Sequence, residues 1–230
     1  MPIDREGYQK IVRELQSKKV TLVAVSKTKT AEDILELYEM GHRDFGENYV
    51  QELTEKHLIL PKDIRWHFIG HLQSKKVKYI APFIHLIHGV DSFKLLEEIN
   101  KQGIKNKRII NCLLQVHIAQ EETKFGLSEV ELDELFKSLP AYVAVDGLAN
   151  VRIRGLMGMA SFTEDLNKVQ LEFKYLSALF DKYSGITTSH SEMQILSMGM
   201  SADYKIAMEE GSTMVRIGSL IFGEREQKPI

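Results

Sequence analysis

Lys27 is the residue in this sequence whose type and position most directly indicate covalent chemistry. It closely follows residues 20–25, a run rich in apolar and β-branched side chains that is typical of a buried parallel strand. Alternation along a strand places Thr21, Val23, Val25 and Lys27 on one face. An amine at the end of such a strand is partly desolvated, which suits it to forming an imine with an aldehyde or ketone. The alternative is a lysine that reaches solvent from the strand end.

Two short segments near the end of the sequence are suited to binding an anion. In the first, Gly199 and Ser201 precede a predicted helix at residues 202–210, so backbone N–H groups and a hydroxyl lie at a positive helix end. In the second, Arg216 supplies a guanidinium fork and Gly218 lets the backbone approach a ligand closely. The alternative is that the glycines and serine are ordinary turn residues and that Arg216 pairs with a surface carboxylate.

The elements that would position these residues alternate along the chain between strands and helices. Apolar periodicity predicts helices at residues 4–17, 31–40, 49–60, 75–81, 92–102, 128–138, 165–183 and 202–210. Strand-like runs occupy residues 20–26, 44–45, 66–69, 85–90, 109–118, 153–156, 193–196 and 214–217. This pattern predicts an α/β fold, a single-domain (β/α)₈ TIM barrel over residues 1–230 with an extra N-terminal helix. The alternative is an open doubly wound sheet, although no G-x-G-x-x-G follows the first strand.

A barrel would bring the lysine and the anion-binding segments side by side. Active sites of such barrels lie at the C-terminal ends of the strands, and the loops after strands 7 and 8 commonly bind phosphate. Because strand 8 closes onto strand 1, Lys27 would neighbour Ser201 and Gly218. An aldehyde that carries a phosphate suits this arrangement, and pyridoxal phosphate is the obvious candidate.

Helix boundaries are predicted from four residues. Thr30 and Ser128 each precede acidic residues at the start of an apolar periodicity, which is typical of an N-cap. Gly41 and Gly103 follow helical stretches and are expected to end them.

Composition and charge exclude several other classes of protein. The 230 residues carry a formal net charge of −2, so no overall positive field favours nucleic acid or an anionic membrane. No apolar stretch approaches membrane-spanning length, and the N-terminal residues are not signal-like. The single cysteine, Cys112, lies in an apolar run and is expected to be a buried thiol. These features predict a cytoplasmic protein, and its even composition favours a monomer.

Several other polar and sulfur-containing residues are weaker candidates for a site. His85 and His88 look like a metal pair, but residues three apart on a strand face opposite sides, so no metal site is predicted. His190 and Glu192 are expected in a solvated loop, and residues 121–124 in a solvated turn. Five methionines are expected to line or fill the barrel: Met157, Met159, Met198, Met200 and Met214.

Six motifs resemble those of the pyridoxal phosphate homeostasis proteins, also known as the YggS or PROSC family. These proteins are small relatives of the alanine racemase N-terminal barrel. The motifs occur in the family's order from Val20 to Glu224 and read A-V-S-K-T-K, F-G-E-N-Y, H-F-I-G-x-L-Q, R-G-L-M, S-M-G-M-S and S-T-M-V-R-I-G. The resemblance implies an alanine racemase N-terminal-like barrel that holds pyridoxal phosphate as an internal Schiff base on Lys27.

The resemblance also implies which residues contact the cofactor. Eight residues are assigned to cofactor binding, and none to metal binding or catalysis: Lys27, Asn48, Ser197, Gly199, Ser201, Arg216, Ile217 and Gly218. The phosphate is implied to lie against Ser201, Arg216 and Gly218, with backbone help from Gly199 and Ile217. Asn48 and Ser197 are implied to lie near the cofactor ring.

Two functions from different classes remain open. In the first, the protein holds pyridoxal phosphate and supplies or buffers it for apo-enzymes that use this cofactor. In the second, it is a racemase-like enzyme acting on amino acids. Barrel-type alanine racemases add a β-rich domain with a catalytic tyrosine, for which residues 224–230 leave no room. Loss of such an acid or base costs about 10²–10⁴-fold in rate, so the carrier is favoured over the enzyme. A transient role for Lys29, Lys75 and Lys76 in handing over the cofactor is a further hypothesis.

Overall fold

The computed structural model describes residues 3–119, 125–144, 148–185 and 191–223. The strands in these residues are β1 (Thr21–Val25), β2 (Asp44–Glu47), β3 (Arg65–Phe68), β4 (Leu86–Val90), β5 (Ile110–Gln115), β6 (Val151–Met157), β7 (Ser191–Ser197) and β8 (Met214–Ile217). The helices are α1 (Arg5–Ser17), α2 (Ala31–Glu39), α3 (Val50–Ile59), α4 (Val77–Ile80), α5 (Phe93–Lys105), α6 (Glu129–Ala144), α7 (Leu166–Ser184), α8 (Tyr204–Glu209) and α9 (Ser219–Phe222). A 3₁₀ turn at Ser74–Lys76 leads into α4.

The strands form a closed parallel barrel in sequence order. Each strand lies beside its sequence neighbours, and β8 closes onto β1. Val23 of β1 pairs with Arg216 of β8, and Val25 pairs with Gly46 of β2 on the other side. The predicted (β/α)₈ TIM barrel is therefore confirmed, and the open doubly wound sheet is excluded.

Apolar side chains form one core inside the barrel and a larger one outside it. The barrel lumen is filled by a small cluster of buried residues: Val23, Leu86, Leu113, Met157 and Met214. The larger core lies between the sheet and the helices, where Phe45, Trp66 and Phe173 are almost fully buried. Burying each side chain of this size stabilises the fold by roughly 1.5–3 kcal/mol. The two cores hold the strand ends in fixed positions around the lumen.

The extra N-terminal helix packs across the barrel's closing region. In α1, Tyr8, Ile11 and Leu15 share one face because of their helical spacing, and all three are buried. Asp4 caps the helix, since its carboxylate accepts a hydrogen bond of 2.9 Å from the Gly7 amide. The Asp4 amide donates to the carbonyl of Ile221 at 3.2 Å, which ties α1 to α9.

Three of the four predicted helix boundaries are confirmed. Thr30 forms a capping box with Asp33 at the start of α2, and the Ser128 hydroxyl accepts from the Glu131 amide at the start of α6. Gly41 follows α2 with a φ of +94°. The prediction for Gly103 is wrong, because α5 continues to Lys105.

The start of β7 also differs from the prediction. Ser191 and Glu192 belong to β7 rather than to the predicted loop. Ser191 pairs with Ile153 of β6, and the neighbouring Arg154 donates to the Glu192 carboxylate at 3.0 Å. His190 and residues 121–124 lie outside the described residues, so the predictions for them stay predictions.

The helix after β7 also differs from the prediction. α8 begins at Tyr204 rather than at residue 202. The reason is a turn before it, in which the Met200 amide donates to the Asp203 carboxylate at 2.6 Å. Ser201 therefore lies in a turn and not in the first turn of a helix. The short helix α9 was not predicted. None of the described helices has the length and apolarity needed to cross a membrane.

Candidate functional site

A cavity of about 520 Å³ opens at the C-terminal end of the barrel, where Lys27 meets the loops after β7 and β8. The polar part of its wall includes Lys27, Lys29, Ser201, Arg216 and Ser219. The apolar part includes Ile69, Met159, Phe162 and Met200. A small ligand with an apolar ring and an anionic group matches such a divided wall.

The loop that carries Lys27 is held firmly on the side away from the cavity. The Ser26 hydroxyl donates to a carboxylate oxygen of Glu47 at 2.6 Å, and the Thr28 amide donates to Glu52 at 2.6 Å. Thr28 has a φ of +65°, in the left-handed region that a β-branched residue rarely adopts. Such a conformation costs on the order of 1–3 kcal/mol and persists only where surrounding contacts enforce it. Lys27 is therefore presented from a constrained backbone.

A buried ion-pair cluster lies under this loop. Lys56 Nζ is 2.7 Å from a carboxylate oxygen of Glu47 and 2.7 Å from one of Glu52. The same ammonium donates to the Ser26 carbonyl at 2.8 Å. Burial raises the pKa of Glu47, while the charge of Lys56 acts in the opposite direction. The cluster connects α3 to the end of β1 and so fixes the loop relative to the barrel.

The two predicted anion-binding segments are joined to each other by hydrogen bonds. The Gly218 amide donates to the Ser201 hydroxyl at 3.3 Å, and the Arg216 amide donates to the Gly199 carbonyl at 3.0 Å. Gly199 has a φ of +94°, and a Cβ there would lie 2.6 Å from the Cβ of Ala207. Only glycine fits at this position. The hydroxyl and amide groups thus converge on one corner of the cavity.

The guanidinium of Arg216 lies at the deep end of the cavity, inside the barrel. Nη1 donates to the carbonyl and the hydroxyl of Ser197 at 2.9 and 2.7 Å, and Nη2 donates to the Gly158 carbonyl at 3.0 Å. Burial lowers the pKa of Arg216 to about 10, and the charge of Asp203 acts in the opposite direction. The alternative that Arg216 pairs with a surface carboxylate is wrong, because its fork is held inside the barrel.

The structure brings the predicted site residues into one region, although not all of them reach the cavity. Five line its wall: Lys27, Asn48, Ser201, Arg216 and Gly218. The other three lie behind the wall. Ser197 is fully buried beneath Arg216, Gly199 shapes the loop, and Ile217 packs into the outer core. Their contribution to cofactor binding stays a prediction.

Several residues of the wall were not predicted as site residues, among them Ser219, Met159 and Phe162. Ser219 directly follows Gly218, so its position in the same segment was a usable signal. Met159 was expected to line or fill the barrel; it packs against the lumen cluster and also lines the cavity. Phe162 is 94% exposed at the rim, and nothing in its sequence context indicated a role.

The three lysines considered for hand-over occupy different positions. Lys29 Nζ donates to the Phe222 carbonyl at 2.8 Å, which ties the loop after β1 to the end of α9. Lys75 and Lys76 are exposed in the 3₁₀ turn before α4. Lys76 also lines a neighbouring cavity of about 580 Å³ that shares Asn48 with the first one. Their role in hand-over stays a prediction.

Several histidines lie inside or beneath the barrel. His88 is fully buried in the lumen, and the ring of His85 lies 5.3 Å from that of His67. Asp44, His67 and His85 offer ligand atoms within 4.8 Å of one another, in the manner of a metal site. However, Asp44 already binds the guanidinium of Arg65 through both carboxylate oxygens. We therefore assign no metal to this group.

The fold and the cavity together define a class of protein: a (β/α)₈ barrel with a lysine in the loop just after β1 and an anion-binding corner after β7 and β8. A family model described as "Alanine racemase, N-terminal domain" matches residues 5–226 of the chain. The chain belongs to this family and, within it, to the pyridoxal phosphate homeostasis proteins. The resemblance noted in the sequence is thereby confirmed.

Individual relatives are similar to this chain over most of their length. The pyridoxal phosphate homeostasis protein of Aquifex aeolicus (strain VF5) is 41% identical over 209 residues, which cover 89% of this chain and 87% of the relative. The protein of the same name from Homo sapiens is 39% identical over 224 residues, covering 93% and 80%. PipY of Synechococcus elongatus, 33% identical, superposes with TM-scores of 0.82 without PLP and 0.79 with PLP bound. Each superposition covers 93% of this chain and 99% of PipY.

Proposed function

We propose that this protein binds pyridoxal 5′-phosphate in the cavity at the C-terminal end of the barrel and serves in its homeostasis. The amine of Lys27 would hold the cofactor as an internal Schiff base. The observation that carries the proposal is the placement of Lys27 in the same cavity wall as Ser201, Arg216 and Gly218. It is supported by relatives named pyridoxal phosphate homeostasis protein and by PipY, which was solved with PLP bound.

Each part of the cavity has a separate task in this proposal. The cofactor supplies an electrophilic aldehyde, an aromatic ring and a phosphate, and Lys27 supplies the nucleophilic amine. The Ser201 hydroxyl and the Ser219 backbone amide are the neutral donors for the phosphate, and the Gly218 amide orients that hydroxyl by donating to its oxygen. Ile69 and Met159 supply apolar cover for the ring.

Arg216 contributes in a different way from the phosphate corner. Its Nη1 and Nη2 atoms already donate to Ser197 and Gly158. Its fixed positive charge therefore faces the deep end of the cavity. We assign the preference for pyridoxal phosphate over pyridoxal first to Ser201 and the neighbouring amides. We assign overall retention of the cofactor to Arg216.

A carrier accounts for the cavity wall better than a dedicated enzyme does. The titratable side chains on the wall, among the described residues, are Lys27, Lys29, Asp203 and Arg216. Lys29 is bound to a carbonyl and Asp203 to an amide. Exchange of a proton on both faces of an amino acid needs a second positioned acid or base, which is worth about 10²–10⁴-fold in rate. The described wall offers no tyrosine, histidine or cysteine for that task.

Transfer of the cofactor to an apo-enzyme tests the proposed function. Protein loaded with pyridoxal phosphate is mixed with an apo-transaminase, and transaminase activity is followed against an equal concentration of free cofactor. In parallel, the loaded protein is incubated with L-alanine and the chirality of the product is measured. Activation of the transaminase with negligible racemisation supports the carrier. Efficient racemisation without activation would establish the racemase-like enzyme instead.

We also propose that residues 1–230 form a single barrel domain that acts as a cytoplasmic monomer. The described strands and helices all belong to one barrel, which supports the single domain. Cys112 is a free, buried thiol, as expected from the sequence, and this is compatible with a reducing compartment. Analytical ultracentrifugation of the loaded protein tests the monomer, and a stable dimer at micromolar concentration would contradict it.

A further inference from the structure

A chain of polar side chains crosses the otherwise apolar lumen and ends at the cofactor cavity. We call it the lumen chain, and it consists of five residues: Asp44, His67, His88, Ser197 and Arg216. Nε2 of His67 lies 3.0 Å from Asp44, and Nδ1 of His67 lies 2.9 Å from Nε2 of His88. Nδ1 of His88 lies 3.2 Å from the Ser197 hydroxyl, which accepts from Arg216 at 2.7 Å. The lumen chain joins the start of β2 to the ends of β7 and β8.

The donors and acceptors of the lumen chain can be assigned from its two ends. The carboxylate of Asp44 only accepts, so Nε2 of His67 carries a proton and donates to it. In a neutral His67 ring, Nδ1 is then an acceptor, which requires His88 to donate through Nε2. Nδ1 of His88 must in turn accept from the Ser197 hydroxyl. Every bond from Arg216 to Asp44 therefore points in the same direction.

The charges at the two ends of the lumen chain favour a neutral His88. Arg65 already binds Asp44 with both of its carboxylate oxygens at one end of the chain. The buried guanidinium of Arg216 lies at the other end. A further positive charge on His88 would lie between these cations, away from water. Burial, together with the charge of Arg216, holds the pKa of His88 well below its ordinary value.

The burial of the lumen chain shows how strongly its geometry is enforced. His67 and Ser197 are at most 1% exposed, and His88 is fully buried. Leu86 and Leu113 pack into the same lumen. A buried polar group without a partner costs about 1–3 kcal/mol, so removing one member penalises its neighbours. Each member thus restricts the orientation of the next.

We propose that His88, supported by His67, is a positioning residue that orients the Ser197 hydroxyl and, through it, the guanidinium of Arg216 toward the bound cofactor. This inference rests on the proposed function, because it assigns a purpose to Arg216 in the cavity wall. His88 itself lies behind Ser197 and does not line the cavity. It acts on the cofactor only through Ser197 and Arg216.

The lumen chain can be tested first on protein without cofactor. Nitrogen-15 NMR of the histidine rings reports which nitrogen carries the proton. The expected result is that His88 is neutral, with its proton on Nε2, between about pH 6 and pH 8. Protonation of both His88 nitrogens, or a proton on Nδ1 alone, would overturn the assignment. This readout is independent of cofactor binding, so it separates a failure of the chain from a failure of the proposed function.

Three variants then test the effect on the cofactor. His88→Leu removes both hydrogen bonds, whereas His88→Asn keeps an amide oxygen that can accept from Ser197. Leu86→Ala, on the same strand and in the same lumen, is the matched control for lost packing. His88→Leu is expected to weaken binding of pyridoxal phosphate roughly 5- to 30-fold, the effect of one lost buried hydrogen bond, and to shift the visible absorption band.

The control and the conservative variant decide between positioning and mere packing. His88→Asn is expected to recover most of the wild-type affinity and band position. Leu86→Ala is expected to lower the melting temperature and leave the band unchanged. The proposal is overturned when His88→Leu keeps the wild-type band and affinity, or when Leu86→Ala shifts the band equally. A wild-type protein that takes up no pyridoxal phosphate would refute the proposed function, and the NMR result would stand separately.

Discussion

The ammonium of Lys56 lies 2.7 Å from a carboxylate oxygen of Glu47, and both side chains are buried directly beneath the loop that presents Lys27. Glu47 ends β2 and Lys56 lies on α3, so the pair connects two elements at the mouth of the barrel. Ser26 binds both partners, through its hydroxyl and its carbonyl. The position of the reactive amine therefore depends on an ion pair that does not itself touch the cavity.

Removing the cation of this pair should destabilise the fold. Lys56→Met leaves the Glu47 carboxylate buried without a counter-ion, and such a loss costs about 3–5 kcal/mol. Urea denaturation at pH 7 measures the change in free energy of unfolding. Lys10→Met on α1, where the lysine is exposed, is the control and should change stability by less than about 0.5 kcal/mol. Equal stability of Lys56→Met and wild type would show that the pair contributes nothing.

Gly199 should be intolerant of any side chain. Its φ of +94° and the position of Ala207 leave no room for a Cβ, so Gly199→Ala should lose about 1–3 kcal/mol of stability and displace Ser201. Gly185→Ala is the matched control, because no atom lies within 4 Å of a Cβ there. Thermal unfolding of both variants gives the comparison. A Gly199→Ala protein as stable as Gly185→Ala would mean that the loop after β7 is not constrained as described.

Ser201 should determine discrimination between cofactors with and without phosphate. Ser201→Ala removes one donor from the phosphate corner, and a hydrogen bond to a charged group is worth about 1.5–3 kcal/mol. The expected loss of affinity for pyridoxal phosphate is roughly 10- to 100-fold, with little change for pyridoxal. Fluorescence titration with both ligands measures the difference. Ser184→Ala on α7, whose hydroxyl binds the Asp181 carbonyl, should change neither affinity, whereas equal losses for both ligands in Ser201→Ala would contradict the assignment.

Asp44 should contribute to stability in a way that depends on pH. Burial acts to raise the pKa of Asp44, but hydrogen bonds from Arg65 and His67 and the positive charge of Arg65 outweigh it and hold this pKa well below its ordinary value. The unfolded chain binds a proton at this site near pH 4, whereas the folded chain does not. The stabilisation is therefore fully present above about pH 5 and decreases as the pH falls below about 4.

The comparison of Asp44→Asn with wild type isolates this contribution. Urea midpoints between pH 3 and pH 7 should converge for the two proteins as the pH falls. Their separation should be constant above about pH 5. A separation that stays the same at every pH would indicate an Asp44 with an ordinary pKa.

The barrel could be predicted from the sequence because the patterns that indicate its strands and helices involve residues close together in the chain. The apolar run that ends near Lys27 and the Thr30 cap of α2 each depend on residues close in the chain. Closure of the barrel then determined that Lys27 neighbours Ser201 and Gly218, because β8 must lie beside β1. Local patterns and one topological rule were sufficient for the location of the site.

The features that the sequence did not predict depend on contacts between distant residues. α8 starts late because Asp203 binds the Met200 amide instead of entering the helix. The role of Gly103 depends on Asn150, whose carbonyl would lie 2.5 Å from a Cβ at that glycine. His88 meets Ser197 across 109 residues of sequence, and no spacing rule relates the two.

Chemical trapping of the cofactor tests the central claim most directly. Wild-type protein loaded with pyridoxal phosphate is reduced with borohydride, digested and analysed by peptide mass spectrometry, with Lys27→Ala treated in parallel. The account predicts a reduced cofactor adduct on the peptide that contains Lys27 and the loss of that adduct, together with the visible absorption band, in Lys27→Ala. An adduct located on another lysine in wild type, or one that persists undiminished in Lys27→Ala, would contradict it.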